Sequence, residues 1–184
     1  MPAGARSPLR RHRSGDEDPA MPHSEASTQR VGSIAAMVTE EEVIDSPTGW
    51  VAKHVREYVE SGGSKGHRWN GVSTLLLTTR GRRTGKLRRT ALIYGIDGEN
   101  YVVVASRGGA AHHPQWYLNL DADPQVRVQV GADEWNGRAR AAEDEERERL
   151  WQLMAEIWPQ YDRYQEKTTR QIPVVVIERQ SGSD

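Results

Sequence analysis

The chain has 184 residues, a formal net charge of -1, and neither cysteine nor phenylalanine. That length fits one domain whose core needs no staples, and the lack of cysteine excludes disulfides, thiolate nucleophiles, cysteine-ligated zinc and iron–sulfur clusters. No run of about 18 apolar residues exists to span a membrane, so a cytoplasmic protein, at most peripheral at the inner face of the membrane, is expected.

Residues 1–45 are rich in Pro, Ser, Gly, Ala and charge without an apolar period, the composition of a disordered tail. Arg6, Arg10, Arg11 and Arg13 look like the charged start of a targeting peptide, but no apolar stretch follows them. Met21 and Met37 are internal candidate starts. A single domain is expected over 46–180, beginning with a helix that Ser46-Pro47 opens and Gly62-Gly63 ends. Trp50, Val51, Val55, Tyr58 and Val59 mark its apolar face, with Lys53, Arg56, Glu57 and Glu60 opposite. After a linker carrying His67, Arg68 and Trp69, the β-branched and leucine-rich stretch from Val72 to Thr79 reads as a largely buried strand.

That strand runs into the segment from Arg80 to Arg89, where six of ten residues are cationic. Such an excess in a nearly neutral chain calls for an anionic partner. Gly81 and Gly85 bracket Arg82, Arg83 and Thr84, so the backbone can turn tightly and bring its N–H groups near an anion beside the guanidinium forks. Phosphate or clustered carboxylates would suit the loop.

Thr90–Ile96 and Tyr101–Ala105 pair about an Asp97-Gly98 turn, and Ser106-Arg107-Gly108-Gly109 ends the second of them. His113-Pro114 opens a short helix, with the proline at the first helical position, carrying Gln115, Trp116, Tyr117, Leu118 and Asn119. Asp123-Pro124 breaks it. Val126, Val128 and Val130 alternate with Arg127 and Gln129 as a half-buried strand; Asn136-Gly137 marks a turn, and Ala139 and Ala141 lie in the strand after it. Ala142–Trp158 is a helix, acidic at its start and apolar at Leu150, Leu153, Met154 and Ile157, and Pro173–Ile177 is a last buried strand. Five or six strands in antiparallel runs, with helices that do not alternate with them, indicate an α+β fold with a small barrel or strongly curled sheet. Neither G-x-G-x-x-G nor G-x-x-x-x-G-K-[ST] occurs, so Rossmann and P-loop chemistry have no support. His112 and His113 are adjacent, cannot share one helical face and have no third ligand recurring nearby, so no metal site is expected.

The segments Leu75–Gly85, Val103–Ala110 and Pro114–Leu120, followed by Tyr161, Tyr164, Gln165, Thr168 and Ile172-Pro173-Val174, resemble the deazaflavin (coenzyme F420)-dependent nitroreductase and quinone reductase family. The likeness covers roughly residues 66–178. It implies a split β-barrel of the FMN-binding-like kind and, as cofactor, coenzyme F420, whose phosphodiester and oligoglutamate tail make it a polyanion. By the same resemblance Arg82, Arg83, Thr84 and Gly85 match the segment that holds phosphate and tail, with Arg80, Lys86 and Arg88 adding positive field. Ala105, Ser106, Arg107 and Gly108 match the stretch lining the cofactor, and Trp116 and Asn119 match the helix that closes over it. The implied reaction is hydride transfer from reduced F420 to a quinone or other electrophilic, including nitro, acceptor. Ser106, Tyr161 and Tyr164 are the candidate catalytic residues, through hydrogen bonds to the acceptor oxygen or a proton relay.

Each assignment has a plainer rival. The basic loop could be solvated or could bind nucleic acid, with Trp69 or Tyr94 for stacking; Trp116 and Tyr117 could anchor their own helix; Tyr161 and Tyr164 could simply pack. Within the same fold, FMN or haem is the rival ligand. The chain departs from the family around the acceptor, where Ala91 stands in place of a frequent proline and Ile93 and Trp158 in place of tyrosines, and Arg107 replaces a common lysine. Reduction of bicyclic nitroimidazole drugs is therefore not carried over. The expected partner is a small quinone-like acceptor and not nucleic acid, the chain acting as monomer or homodimer with scope for peripheral membrane contact.

Overall fold

Nine residues from Val72 to Arg80 form strand β3, and six consecutive side chains from Thr74 to Thr79 are buried. Strand side chains alternate between faces, so an unbroken buried run requires cover on both sides. Leu75 and Leu77 point into one cluster, with Tyr94, Val103, Val126, Val128, Trp135, Ala139, Val175 and Ile177. Leu76, on the other face, packs against Val51, Val55 and Tyr58 of a helix. The first cluster draws on six strands, and it is the interior of a barrel.

The computed structural model describes residues 41–47 and 49–180, so residues 1–40 of the tail expected over 1–45 lie outside the described residues. In chain order the elements are β1 (Val43–Asp45), α1 (Gly49–Glu60), β2 (Arg68–Trp69), β3, β4 (Leu87–Asp97), β5 (Asn100–Val104), α2 (Gln115–Ala122), β6 (Gln125–Val130), β7 (Asp133–Ala141), α3 (Asp144–Ile157), α4 (Gln160–Glu166) and β8 (Val174–Arg179). Pairing runs β4-β5-β8-β7-β6-β3 and closes through β3–β4, an antiparallel six-stranded split barrel. Closure leaves those six strands without a free edge. β1 and β2 are short additions outside the ring, on β4 and β3 respectively.

The outer face of β5 and β8, with Val102, Val104, Val174 and Val176, is covered by Leu150 and Met154 of α3 and Tyr161 of α4. Fully burying each such aliphatic side chain is worth about 1.5–3 kcal/mol, so this second core and the barrel interior dominate stability. On the opposite side α1 presents Val51, His54, Val55 and Tyr58, the spacing of one helical stripe. Trp50 and Val59, expected on that face, are exposed instead, and His54 takes their place. The Thr74 hydroxyl donates to the Gly66 carbonyl, which leaves it to accept from His54 Nε2–H at 3.2 Å.

Several boundaries differ from the sequence reading. Val43–Asp45, assigned to the tail, forms β1 parallel to Leu87–Arg89; its three residues carry too little pattern to mark a strand. The β6–β7 turn is at Gly131-Ala132, with Val130 opposite Asp133, and not at Asn136-Gly137. Asn-Gly is a strong hairpin signal, but here Gly137 lies inside β7, where a Cβ would sit 2.8 Å from the Glu178 carbonyl oxygen of β8. The glycine answers to close strand approach instead. Pro114 is extended (φ -65°, ψ 150°) and precedes the helix, which begins at Gln115. Its ring fixes φ at a value that suits either position, so sequence could not separate them.

Candidate cofactor site

The β3–β4 connection is a tight turn. Gly81 N–H donates to the Lys86 carbonyl at 2.8 Å, and Gly85 N–H donates to the Gly81 carbonyl at 2.7 Å. Gly85 has φ +68°, in the left-handed region that favours glycine. The six cations of this segment divide into two groups. Arg80 forms a bidentate pair with Glu41, Lys86 lies 3.5 Å from Glu42, and Arg89 lies 2.7 Å from Asp45. The Arg80 hydrogen bond holds the Glu41 carboxyl below its ordinary range. Arg80 and Lys86 thus have carboxylates beside them, and the field expected from them is largely neutralised. Among the described residues, Arg82, Arg83 and Arg88 have no acidic partner.

Arg82 joins this loop to α2. Its backbone N–H and its Nη1 both donate to Asn119 Oδ1 at 3.2 Å, and Nη1 donates to Gln115 Oε1 at 3.0 Å. Asn119 is 4% exposed and donates from Nδ2 to Thr79 Oγ1. Its amide is spent on the loop, so Asn119 braces Arg82. Trp116 is half-buried against the barrel interior beside Tyr117, and Leu120 enters that core from the same helix. Thr84, Gly85, Arg83 and Arg88 are exposed.

Strand β5 ends in an irregular turn. Ser106 is right-handed (φ -76°, ψ -40°), Arg107 and Gly108 are left-handed (φ +46° and +63°), and Gly109 follows at +82°. Right-handed followed by left-handed backbone gathers successive N–H groups into an anion-receptive concavity. Here the donors are the N–H groups of Ser106, Arg107 and Gly108, and among the described residues none has an acceptor. A positive φ is uncommon at arginine. Gly109 is fixed by its neighbours, since a Cβ there would lie 2.5 Å from the Tyr164 carbonyl oxygen of α4. Ala105 is fully buried, Ser106 half-buried, and Arg107 and Gly108 exposed.

Sequence reasoning missed Arg170. Its Nε donates to the Ala110 carbonyl at 2.8 Å, and its Nη2 donates to the carbonyls of Ser106 at 2.7 Å and Ala105 at 3.2 Å. Nη1 lies 3.0 Å from His113 Nδ1. Arginine can only donate, so Nδ1 is the acceptor and the His113 proton sits on Nε2. Burial, and then the Arg170 charge, pull the His113 imidazole below its ordinary value.

Tyr161 and Tyr164 differ in burial. Tyr161 is 5% exposed, packed beneath α3, and burial pushes its phenol up. Tyr164 is half-buried, with its backbone against Gly109 and Lys167 Nζ 5.5 Å from its ring centroid. Trp158 lies 5.5 Å from Trp69, which stacks on Trp50 at 5.1 Å and 18° between planes. Three indoles far apart in sequence thus form one ladder that ends at the exposed Trp50.

The basic turn, α2, the Ser106–His113 loop and α4 therefore form a continuous contact path with two anion-receptive ends. A sequence profile described as F420H(2)-dependent quinone reductase matches residues 50–179. The chain belongs to the F420H(2)-dependent quinone reductase family. It is 38% identical over 143 residues to an F420H(2)-dependent quinone reductase of Mycobacterium tuberculosis, covering 71% of this chain and 96% of that protein. A second M. tuberculosis protein, a putative F420H(2)-dependent quinone reductase, is 42% identical over 106 residues, or 58% of this chain and 89% of its own. Among solved structures, one described as an F420-H2 dependent reductase is 43% identical with a TM-score of 0.54, covering 57% of this chain and 93% of that one. Another, described as a domain-swapped dimer, is 40% identical with a TM-score of 0.57, covering 72% and 100%.

This member of the quinone reductase family is an F420H2-dependent oxidoreductase with coenzyme F420 as its cofactor. Its own residues fit that group. A polyanion finds exposed guanidinium groups at Arg83 and Arg88, which no carboxylate of the described residues pairs. A separate set of backbone donors waits at 106–108 without partners from the described residues.

Proposed function

We propose that the protein reduces a quinone by two electrons, taking hydride from reduced F420, and that its residues divide the work between anchoring and chemistry. When bound in its reduced form, coenzyme F420 supplies hydride, because its ring carries carbon where a flavin carries the reactive nitrogen. Arg82, Arg83, Thr84, Gly85 and Arg88 anchor the phosphate and acidic tail. Charge-assisted hydrogen bonds contribute about 1.5–3 kcal/mol each when well made, so two or three account for useful affinity. Trp116 flanks the cofactor from α2, and Asn119 acts through Arg82.

Ala105, Ser106, Arg107 and Gly108 line the reacting end. The Ser106 hydroxyl donates to oxygen on which negative charge grows as the acceptor is reduced, and the 106–108 N–H groups add fixed positive dipoles there. Tyr164, whose backbone meets that turn, supplies a second hydroxyl for the acceptor; Tyr161 supports it from the core with rings 6.2 Å apart. Trp158 and its ladder offer planar faces to an aromatic acceptor, which favours quinones over small nitro compounds. The observation that carries this reading is the N–H triad at the end of β5, without an acceptor among the described residues, in a chain of this family.

The test is direct. The protein is mixed with reduced F420 and a panel of benzo- and naphthoquinones, and reoxidation is followed by the return of cofactor absorbance and fluorescence. Turnover with quinones and slower turnover with nitroaromatics is the expected result. No turnover together with no binding of oxidised F420 would refute the reading. The relative described as a domain-swapped dimer favours a homodimer here as well, which light scattering checks.

A further inference from the structure

We propose that Arg170 is the positioning residue of this site, the group that turns the Ser106 and Arg107 N–H groups toward the bound cofactor. The inference rests on the cofactor reading above, and the peptide plane supplies its mechanism. In a trans peptide the N–H points opposite to the carbonyl of the preceding residue. Arg170 Nη2 holds the carbonyls of Ala105 and Ser106, the two that share peptide planes with the N–H groups of Ser106 and Arg107. Both donors are therefore driven to the side away from the guanidinium. Nε, on the Ala110 carbonyl, closes the far end of the same turn, which costs a left-handed arginine at position 107.

The guanidinium also polarises the peptides it touches, so their N–H groups become better donors. No carboxylate partners Arg170 among the described residues, and burial, then the like charge of Arg107, hold its guanidinium below the ordinary range. An ion pair would cancel its field. Here the charge is met by carbonyl dipoles and the neutral His113, so positive potential remains at the turn.

Arg170 is itself held in place. Gln165 Nε2 donates to the Arg170 carbonyl at 2.8 Å, Gln165 Oε1 accepts from Ile172 N–H at 2.9 Å, and Thr168 Oγ1 accepts from Arg170 N–H at 3.3 Å. Pro173 then accepts from the Ala105 N–H at 2.9 Å. Only a planar fork reaches three carbonyls and an imidazole nitrogen together, so lysine is not an equivalent.

The experiment compares wild type with Arg170→Gln, Arg170→Lys and Arg170→Ala in the full chain. Oxidised F420 binding is read by quenching of its fluorescence, and amide exchange of the cofactor-free protein is read by mass spectrometry. All three variants should bind F420 at least about tenfold more weakly. Millimolar methylguanidinium should restore part of the affinity of Arg170→Ala, and methylammonium should not. Without cofactor, exchange should rise in peptides covering 105–110 and stay unchanged in β3 and β4. Affinity within twofold of wild type in Arg170→Gln would overturn the proposal, as would exchange rising equally across the barrel. Failure of wild type to bind F420 would refute the cofactor reading, and the cofactor-free exchange would then decide the role of Arg170 alone.

Discussion

The β3–β4 turn and the turn after β5 both present donors suited to an anion, and they are built on opposite plans. The first is rich in side-chain charge and half neutralised by its own chain, with Glu41, Glu42 and Asp45 taking Arg80, Lys86 and Arg89. The second carries one exposed arginine and obtains its donors from backbone that Arg170 orients from behind. Charge on flexible side chains suits a long, variable polyanion, because each pair is exposed, adjustable and screened by salt. Fixed N–H groups suit a single oxygen whose position decides the chemistry.

The sharpest way to break this contrast is Gly109→Val. The backbone there is left-handed and a Cβ would meet the Tyr164 carbonyl at 2.5 Å. Urea unfolding should show a loss of about 3 kcal/mol, and F420 binding should fall with it. A variant of wild-type stability and affinity would mean that the turn is more plastic than a fixed donor array can be.

Next in size, Arg83→Ala with Arg88→Ala should weaken F420 binding by about tenfold to a hundredfold and flatten its dependence on salt. Arg80→Ala, already paired with Glu41, should do distinctly less. Equal losses from Arg80 and Arg83 would erase the division between neutralised and free cations.

The effect of pH tests one histidine held on the barrel wall, His54, against one behind the turn after β5, His113. His54 and His113 have folded values below the ordinary 6.5, chiefly through burial. Below pH 6.5 the unfolded chain therefore binds protons that the folded protein refuses, so stability is full above that pH and declines beneath it. Melting temperature should fall between pH 7 and 5, and His113→Asn should remove part of the slope. The smallest expected effect is that of Glu41→Gln, which unmasks Arg80. F420 should bind up to about twofold more tightly at low salt, and equally at high salt.

Much of this was legible in order along the chain. The apolar run of Val72–Thr79 marked β3, and the Asp97-Gly98 turn, the valine-rich strands and the acidic start of α3 were readable from local periodicity and turn chemistry. The basic segment announced an anion. What escaped notice depends on partners distant in sequence: Glu41 with Arg80, Gln115 with Arg82, Arg170 with Ser106, Trp50 with Trp69 and Trp158. Asn136-Gly137 was misread for the same reason, since the neighbour that demands Gly137 is Glu178 in β8.

By itself the sequence determined the alternation that closes a barrel, the cationic segment and its glycines, and the motif order that marks the family, because each is a property of neighbouring residues. Tertiary structure alone decided which cations meet carboxylates and which of two tyrosines is buried. It also brought Arg170 onto the carbonyls of the turn after β5. Charge neutralisation, burial and carbonyl orientation depend on what closure of the barrel brings within a few ångströms, and no local pattern records that.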